Sequence, residues 1–221
     1  MAKATLLGST IARKVAMALS GLFLILFLAQ HFFINSTSVF SPDTFNSISH
    51  FMGYNPLVQY IIQPILIVGV IFHFIMGIFL TYQNDKARPI SYIKYKGEAN
   101  ASWPSRNMII SGAVVLAFLG LHFYDFWLPE MDYKYIQGSP LEEARYYPEL
   151  VHKFESPVRT GLYVLSFVLL ALHLVHGFAS SFQSVGFNNK YSKGLSKFAY
   201  AFSIIVPLGF ALIAIFHHFN H

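Results

Sequence analysis

The chain has 221 residues, of which 55% are hydrophobic and 11% are charged, and its mean hydropathy is +0.50. These values exclude an ordinary soluble domain. Because there is no cysteine, this chain cannot by itself build a disulfide, a zinc–thiolate site or an iron–sulfur cluster. The net charge of +5 requires no nucleic-acid partner, since most basic residues lie on one side of the membrane topology predicted next.

The apolar residues form five runs, each of about 20 residues or more, the length that an α-helix needs to cross a bilayer. They cover residues 15–35, 57–82, 107–128, 157–182 and 198–219. We therefore predict an all-α integral membrane protein with a single membrane domain, 1–221, built as a five-transmembrane-helix bundle. The first run has spanning length and no cleavage pattern follows it, so we expect no cleavable signal peptide.

The charges predict the orientation of this bundle. With the N-terminus inside the cell, eleven of the fifteen basic residues fall in inner segments, and most acidic residues fall in outer segments. This is the positive-inside distribution. It predicts a cytoplasmic N-terminus and a C-terminus on the outer side.

Two motifs occur twice. Helices one and three share Ser-Gly, then Phe-Leu, then His-Phe-aromatic, in SGLFLILFLAQHFF at 20–33 and SGAVVLAFLGLHFY at 111–124. Helices two and four share His-x-x-x-Gly and a later Gln, in IFHFIMGIFLTYQ at 71–83 and ALHLVHGFASSFQ at 171–183. The fifth helix has no counterpart. A repeated helix hairpin tends to place paired functional groups about an internal axis.

One histidine lies about 15–16 residues into each of the first four helices. Because odd and even helices run in opposite directions, His31 and His122 should form one layer, and His73 and His173 another about 18 Å away. After the expected orientation we call these the outer layer and the inner layer. Two histidines on different helices suit a haem iron ligated from both sides, so we predict two haems. The alternative for a single histidine is a hydrogen bond between helices.

Small residues accompany these histidines and are predicted to line the haems. They are Gly77 and Gly177, one turn after their histidines, and Ser20, Gly21, Ser111 and Gly112, at the level of the inner layer. Helix four carries a second histidine, His176, about 60° from His173 on the helical wheel. Because Met76 stands at the matching place in helix two, we assign His173 as the ligand. His176 then either hydrogen-bonds near the inner porphyrin or satisfies a carbonyl. Solvation is expected for most of the remaining histidines, which fall in outer loops or the outer tail: His50, His152, His217, His218 and His221.

In this order and at these spacings, the motifs resemble the single-subunit, five-helix, di-haem cytochrome b anchor of succinate:quinone oxidoreductases. This is the succinate dehydrogenase and fumarate reductase family. The likeness covers nearly the whole chain and is carried by SGLFLILFLAQHFF, HFIMG, LHFY and LHLVHG. It implies that His73 and His173 hold the proximal haem b, and that His31 and His122 hold the distal haem b.

The resemblance also implies partners. An iron–sulfur subunit and a flavoprotein subunit would sit on the cytoplasmic side of a bacterial cytoplasmic (inner) membrane, against the basic segments 84–106 and 184–197. Electrons would pass from succinate to menaquinone through the two b haems, and the chain alone would perform no dicarboxylate chemistry. Pairing of whole complexes into dimers is left open.

Further site residues follow from the resemblance. The haem propionate candidates are Lys14, Lys190 and Lys193, with Arg159 for the distal haem. Snorkelling is the alternative for such juxtamembrane side chains. The quinone is expected beside the distal haem, where the polar candidates are Gln30, Asn55, Gln59, Gln63, Asp125 and Trp127. Interfacial solvation is the alternative for these.

The direction of the reaction is predicted from the lack of a buried glutamate on the helix of the last ligand. Some fumarate-reducing members of the family use a buried glutamate on the last ligand's helix to conduct protons. Here Ala171 lies two residues before His173, and no acidic residue is expected deep in any helix. We therefore favour succinate oxidation with menaquinone reduction. The rivals are the di-haem b subunit of a nitrate reductase or hydrogenase and, from another class, a haem-free anchor or a transporter with histidine proton relays.

Overall fold

The computed structural model describes residues 9–86, 108–139, 142–187 and 189–220, and within them nearly every residue is helical. Five helices are long and apolar enough to cross a membrane, which is the architecture of a multi-pass membrane protein. They correspond to the five predicted runs, so this part of the prediction is confirmed. In chain order the elements are α1 Thr10–Phe40, α2 Pro42–Tyr54, α3 Val58–Ile62 with Gln63–Lys86, α4 Met108–His122 with Phe123–Trp127, Leu128–Met131 and Asp132–Ile136, α5 Glu143–Arg145 with Tyr146–Phe154, α6 Pro157–Ser184 and α7 Ser192–Phe219.

The spanning helices extend beyond the apolar runs because capping residues, rather than hydropathy, set their ends. Ser9 accepts a hydrogen bond from Ala12 N at 3.1 Å and starts α1. Asn55 does the same for Leu57 N at 2.9 Å before α3. Helix α4 continues through three short segments to Ile136, well past the predicted end.

Two segments predicted as outer loops are helical. Helices α2 and α5 lie between spanning helices, contact each other, and cover the same end of the bundle. They are shorter than a membrane span and mix polar with apolar side chains. A search for long apolar runs therefore misses them.

Helices α1 and α6 occupy the centre of the bundle. Helix α1 packs against α3, α6 and α7, and α6 packs against α1, α4 and α7, whereas α3 barely touches α4. The larger buried core consists of Phe45, Leu150, Phe154, Tyr163, Phe167, Val206, Phe210, Ala211 and Ala214. Helix α7, which has no counterpart in the repeat, is thus the most deeply packed of the spanning helices.

A cluster of charged side chains joins α2, α4 and α5. Glu130 pairs with Lys134 at 2.5 Å and with Arg145, and Arg145 pairs with Glu149 at 2.9 Å. Lys134 also donates to Gly53 O at 2.5 Å, which ties α4 to α2. Burial works against the charge of Arg145, but hydrogen bonds to Glu130 and Glu149 raise its pKa above the ordinary value. The charges of this cluster are therefore held in place by one another.

Replacing Glu130 with glutamine is expected to destabilise this end of the bundle by about 3 kcal/mol. Lys134 and Arg145, whose side chains are 5% and 7% exposed, would keep their charges and lose the carboxylate they share. Thermal unfolding of the purified protein in detergent measures the loss. The control is Glu155→Gln, since Glu155 pairs with His152, whose side chain is 75% exposed; that pair should contribute below ~1 kcal/mol. Equal losses in the two variants would contradict the prediction.

Candidate functional site

The four histidines at matched positions in their helices lie in two pairs, as their predicted depths in the membrane require. In the outer layer the ring centroids of His31 and His122 are 5.7 Å apart, with an interplanar angle of 83°. In the inner layer those of His73 and His173 are 6.5 Å apart, at 72°. Each pair joins one helix of the first repeat to one helix of the second, α1 to α4 and α3 to α6.

Both spacings suit a single iron between two imidazoles. Metal–nitrogen bonds of about 2 Å on each side put the two ring centroids roughly 6 Å apart. Within the part of the chain that the structure describes, no group of three or more His, Cys, Asp or Glu side chains could hold a metal ion. Two ligands per layer fit a cofactor that supplies the remaining ligands itself, as a porphyrin does.

A serine from a neighbouring helix contacts each histidine of the inner layer. Ser20 Oγ lies 3.0 Å from Nδ1 of His73, and Ser111 Oγ lies 3.2 Å from Nδ1 of His173. Each hydroxyl also donates to the carbonyl three residues earlier in its own helix, at 2.8 and 3.0 Å. Because a hydroxyl has one hydrogen, it must accept the Nδ1–H of the histidine. Nε2 of both rings is then unprotonated and free to bind a metal.

Glycines beside these serines let the rings approach. A Cβ on Gly21 would lie 3.4 Å from Cε1 of His73, and a Cβ on Gly112 would lie 3.7 Å from Cε1 of His173. Any longer side chain would therefore press on the histidine ring. The two environments match each other, in agreement with the sequence repeat.

Two methionines that adjoin the site were not predicted from the sequence. The Cε of Met17 lies 3.5 Å from the position of a Cβ on Gly77, and the Cε of Met108 lies 3.4 Å from that on Gly177. The space beside each glycine, which is predicted to admit a porphyrin edge, is therefore bordered by a methionine methyl group. Both methionines stand three residues before the matched serine. An extended motif, Met-x-x-Ser-Gly, is the signal that identifies them.

The second histidine of α6, His176, has different contacts from His173. His173 is the one that lies opposite His73 and beside Ser111. His176 is half-buried, and among the described residues it makes no ring contact with His73. This geometry favours His173 as the ligand.

Aromatic rings, rather than hydroxyls, surround the outer layer. The neighbouring rings have centroids 5.2–6.4 Å from the histidine rings and are Phe27 and Phe210 beside His31, and Phe118, Phe126 and Tyr163 beside His122. Phe210 belongs to α7. The helix without a counterpart in the repeat therefore contributes to the outer layer.

Helix α4 changes from α-helical to π-helical geometry directly after His122, over Phe123–Trp127. Asp125 lies in this turn and is 1% exposed. Its Oδ2 accepts a hydrogen bond from the Tyr163 hydroxyl at 3.0 Å and pairs with Arg159 Nε at 3.2 Å. The expectation that no acidic residue lies deep in a helix is wrong for Asp125, because α4 continues well beyond it. Two residues predicted for different roles, a quinone contact and a propionate contact, are thus joined by an ion pair.

The other predicted quinone residues are spread around the same end of the bundle. Gln30 is exposed, and Gln63 and Trp127 are half-buried. Asn55 and Gln59 are engaged within the connection from α2 to α3, where Asn55 caps α3 and Gln59 Nε2 donates to a carbonyl at 2.5 Å. Their contact with a quinone stays a prediction.

The predicted propionate lysines are exposed at the opposite end, nearer the inner layer. Lys14 lies near the start of α1, and Lys190 and Lys193 lie around the connection from α6 to α7. Lys190 Nζ is 5.0 Å from the ring centroid of Tyr191. Of the expected docking segment 84–106, residues 87–106 lie outside the described residues.

One histidine of the outer tail is not solvated. His217 is completely buried, with Nε2 2.8 Å from Ser38 Oγ and its ring against Tyr147. The expectation of a solvated side chain is wrong here, because α7 stays packed against α1 and α5 up to its last turn. His152, in contrast, is exposed as expected.

Comparison of the chain with models of known protein families, with characterised proteins and with solved structures gives no match. The class of protein is therefore defined by the fold and the site. It is an all-α, multi-pass membrane protein with two interhelical histidine pairs, one between α1 and α4 and the other between α3 and α6.

Proposed function

We propose that the chain is the di-haem cytochrome b subunit of a succinate:quinone oxidoreductase. It anchors the catalytic subunits to the membrane and carries electrons between an iron–sulfur subunit and menaquinone. The observation that carries the proposal is the pairing of four histidines in two layers, with both inner histidines bonded to serine at Nδ1. When bound, each haem supplies reversible one-electron transfer at its iron.

The inner layer supplies two neighbouring imidazoles whose Nε2 atoms are free to bind one iron. Ser20 and Ser111 fix the tautomer and the rotation of His73 and His173, which reduces the cost of ordering the rings on binding. We assign this pair to the proximal haem. The pair His31–His122 is assigned to the distal haem, where the packed aromatic rings orient the ligands and exclude water.

The partners are inferred from charge and composition. The absence of cysteine suits a chain whose iron–sulfur clusters lie in another subunit. The basic residues of segments 84–106 and 184–197 suit the cytoplasmic side of a bacterial inner membrane, with an iron–sulfur and a flavoprotein subunit docked there. The quinone would then bind near the outer layer.

Succinate oxidation remains the proposed direction. Ala171 stands where some fumarate-reducing members of that family carry a glutamate on the helix of the last ligand. Asp125, the buried acid on α4, is already engaged by Arg159 and Tyr163.

The experiment is a reduced-minus-oxidised spectrum with pyridine haemochrome quantification on the purified complex. We expect two b-type haems per chain, and succinate-dependent reduction of menaquinone by the complex. A colourless protein would contradict the proposal and favour a haem-free anchor or transporter. Two haems in a complex that oxidises hydrogen or reduces nitrate would assign the chain to one of the rival respiratory enzymes.

Ser20→Ala and Ser111→Ala are each expected to weaken retention of the inner-layer haem by about 10-fold, because each removes the acceptor that orients one ligand. Haem transfer to an excess of a haem-scavenging protein measures this loss, and the outer-layer haem should be retained as in the wild type. The control is Ser166→Ala, since the Ser166 hydroxyl also donates to a carbonyl of its own helix, at 2.7 Å. Equal haem loss from the control would refute the role of the serines.

A further inference from the structure

Two buried polar atoms beside the outer layer have no hydrogen-bond partner among the residues that the structure describes. They are Nδ1 of His122 and Oδ1 of Asp125, three residues apart at the start of the π-helical turn of α4. Both residues contact Tyr163, whose ring lies 6.4 Å from that of His122 and whose hydroxyl donates to Asp125. A buried donor or acceptor left unpaired costs about 1–3 kcal/mol. Native proteins therefore pair such atoms directly or through a buried water.

The two ligands of the inner layer differ from His122 in this respect. His73 and His173 each have a serine hydroxyl at Nδ1. Beside His31 stands the side-chain amide of Asn35, a donor, 3.5 Å from Nδ1 and 3.4 Å from Nε2, so it supplies no acceptor for an Nδ1–H. Of the four, His122 is the one whose buried Nδ1 has no hydrogen-bond contact of any kind within the described residues.

The carboxylate of Asp125 is held in one orientation from its other side. The Tyr163 hydroxyl at 3.0 Å and Arg159 Nε at 3.2 Å both bind Oδ2, and the side chain of Asp125 is completely buried. Two donors on one oxygen leave Oδ1 as the remaining acceptor. A histidine that binds a metal through Nε2 carries its hydrogen on Nδ1 and needs such an acceptor.

We propose that Asp125 is the positioning residue of His122. Its Oδ1 accepts the Nδ1–H of His122 through one buried water, which fixes the tautomer and directs Nε2 towards the iron. This inference rests on the proposed function, because it assigns the acceptor for one of the four haem ligands. A carboxylate is a stronger acceptor than the serine hydroxyls of the inner layer and makes the ligand more basic. The basicity of the histidine ligands is therefore set by a carboxylate in the outer layer and by hydroxyls in the inner layer.

The test is a redox titration of both haems in the purified complex carrying Asp125→Asn. An amide oxygen is a weaker acceptor than a carboxylate, so the ligand becomes less basic and the reduced iron is favoured. We expect the midpoint potential of the outer-layer haem to rise while that of the inner-layer haem stays unchanged. Ser111→Ala serves as the reciprocal control and should shift the inner-layer haem alone. An unchanged outer-layer potential in Asp125→Asn, with both haems bound, would overturn the inference.

Tyr163→Phe gives a second test of opposite sign. It keeps the aromatic ring beside His122 and removes one of the two donors that draw electron density from Asp125. The carboxylate then becomes a stronger acceptor, and the outer-layer potential should fall. If Asp125→Asn does not assemble, this variant decides the matter: a fall supports the inference, and no change or a rise overturns it. A wild-type protein without haem would instead contradict the proposed function itself.

Discussion

Replacing His73 or His173 with alanine is expected to remove the same haem and to leave one haem per chain in place of the two that we propose. This result is expected because the ring centroids lie 6.5 Å apart and, in the proposed function, both rings ligate one iron. In either variant the iron would keep one of its two protein ligands and would be bound less tightly. Pyridine haemochrome quantification gives the number of haems per chain. The low-temperature absorption spectrum shows which of the two haem absorption bands is lost.

The matched control for this experiment is His176→Ala. His176 lies on the same helix as His173, three residues away, and is half-buried. This variant should retain both haems. Loss of a haem through His176→Ala, with retention in His173→Ala, would reverse the ligand assignment. Loss of different bands in His73→Ala and His173→Ala would break the pairing of the inner layer.

Gly209→Ala is expected to disturb the outer layer. A Cβ on Gly209 would overlap the ring of Phe32, which follows His31 in α1 and packs against Phe210 at 5.2 Å. Phe210 in turn contacts His31 at 5.7 Å. The added methyl group must push α7 away from α1 or displace the Phe32 ring, and such overpacking costs about 1–3 kcal/mol. We expect a lower unfolding temperature in detergent and faster loss of the outer-layer haem, with the inner-layer haem retained.

Gly161→Ala is the control for Gly209→Ala. Gly161 lies on α6 and nothing in the described structure lies within 4 Å of a Cβ built on it. The same substitution there should be neutral or stabilising by up to about 1 kcal/mol, because alanine is the better helix former. If both variants behave alike, the contact between α1 and α7 does not position the outer layer.

Much of this architecture could be predicted from the sequence because it depends on regular local geometry. A rise of about 1.5 Å per residue places Ser20 at the depth of His73, although 53 residues separate them. The structure brings the two side chains to within 3.0 Å. Hydropathy alone predicts the spanning helices, since a bilayer of fixed thickness requires long apolar runs.

The interactions that could not be predicted depend on packing between helices or on local departures from α-helical geometry. Nothing in the run around Asp125 marks a π-helical turn, so neither its burial nor its pairing with Arg159 can be read from spacing. The contact between Ser38 and His217 joins residues 179 positions apart, and it requires that α1 and α7 lie side by side. The short helices α2 and α5, which cover one end of the bundle, are too polar to be found by a search for long apolar runs.

The repeated helix hairpin suits an origin of this fold by gene duplication. Each histidine pair takes one member from the hairpin α1–α3 and one from the hairpin α4–α6, so neither half of the chain contains a complete site. A single ancestral hairpin with one histidine towards each end would gain both layers at once by pairing with a copy of itself. Fusion of the two copies would then allow each to diverge. Helix α7, which brings Phe210 to His31 and packs against α1 and α6, is the addition that makes the two halves unequal.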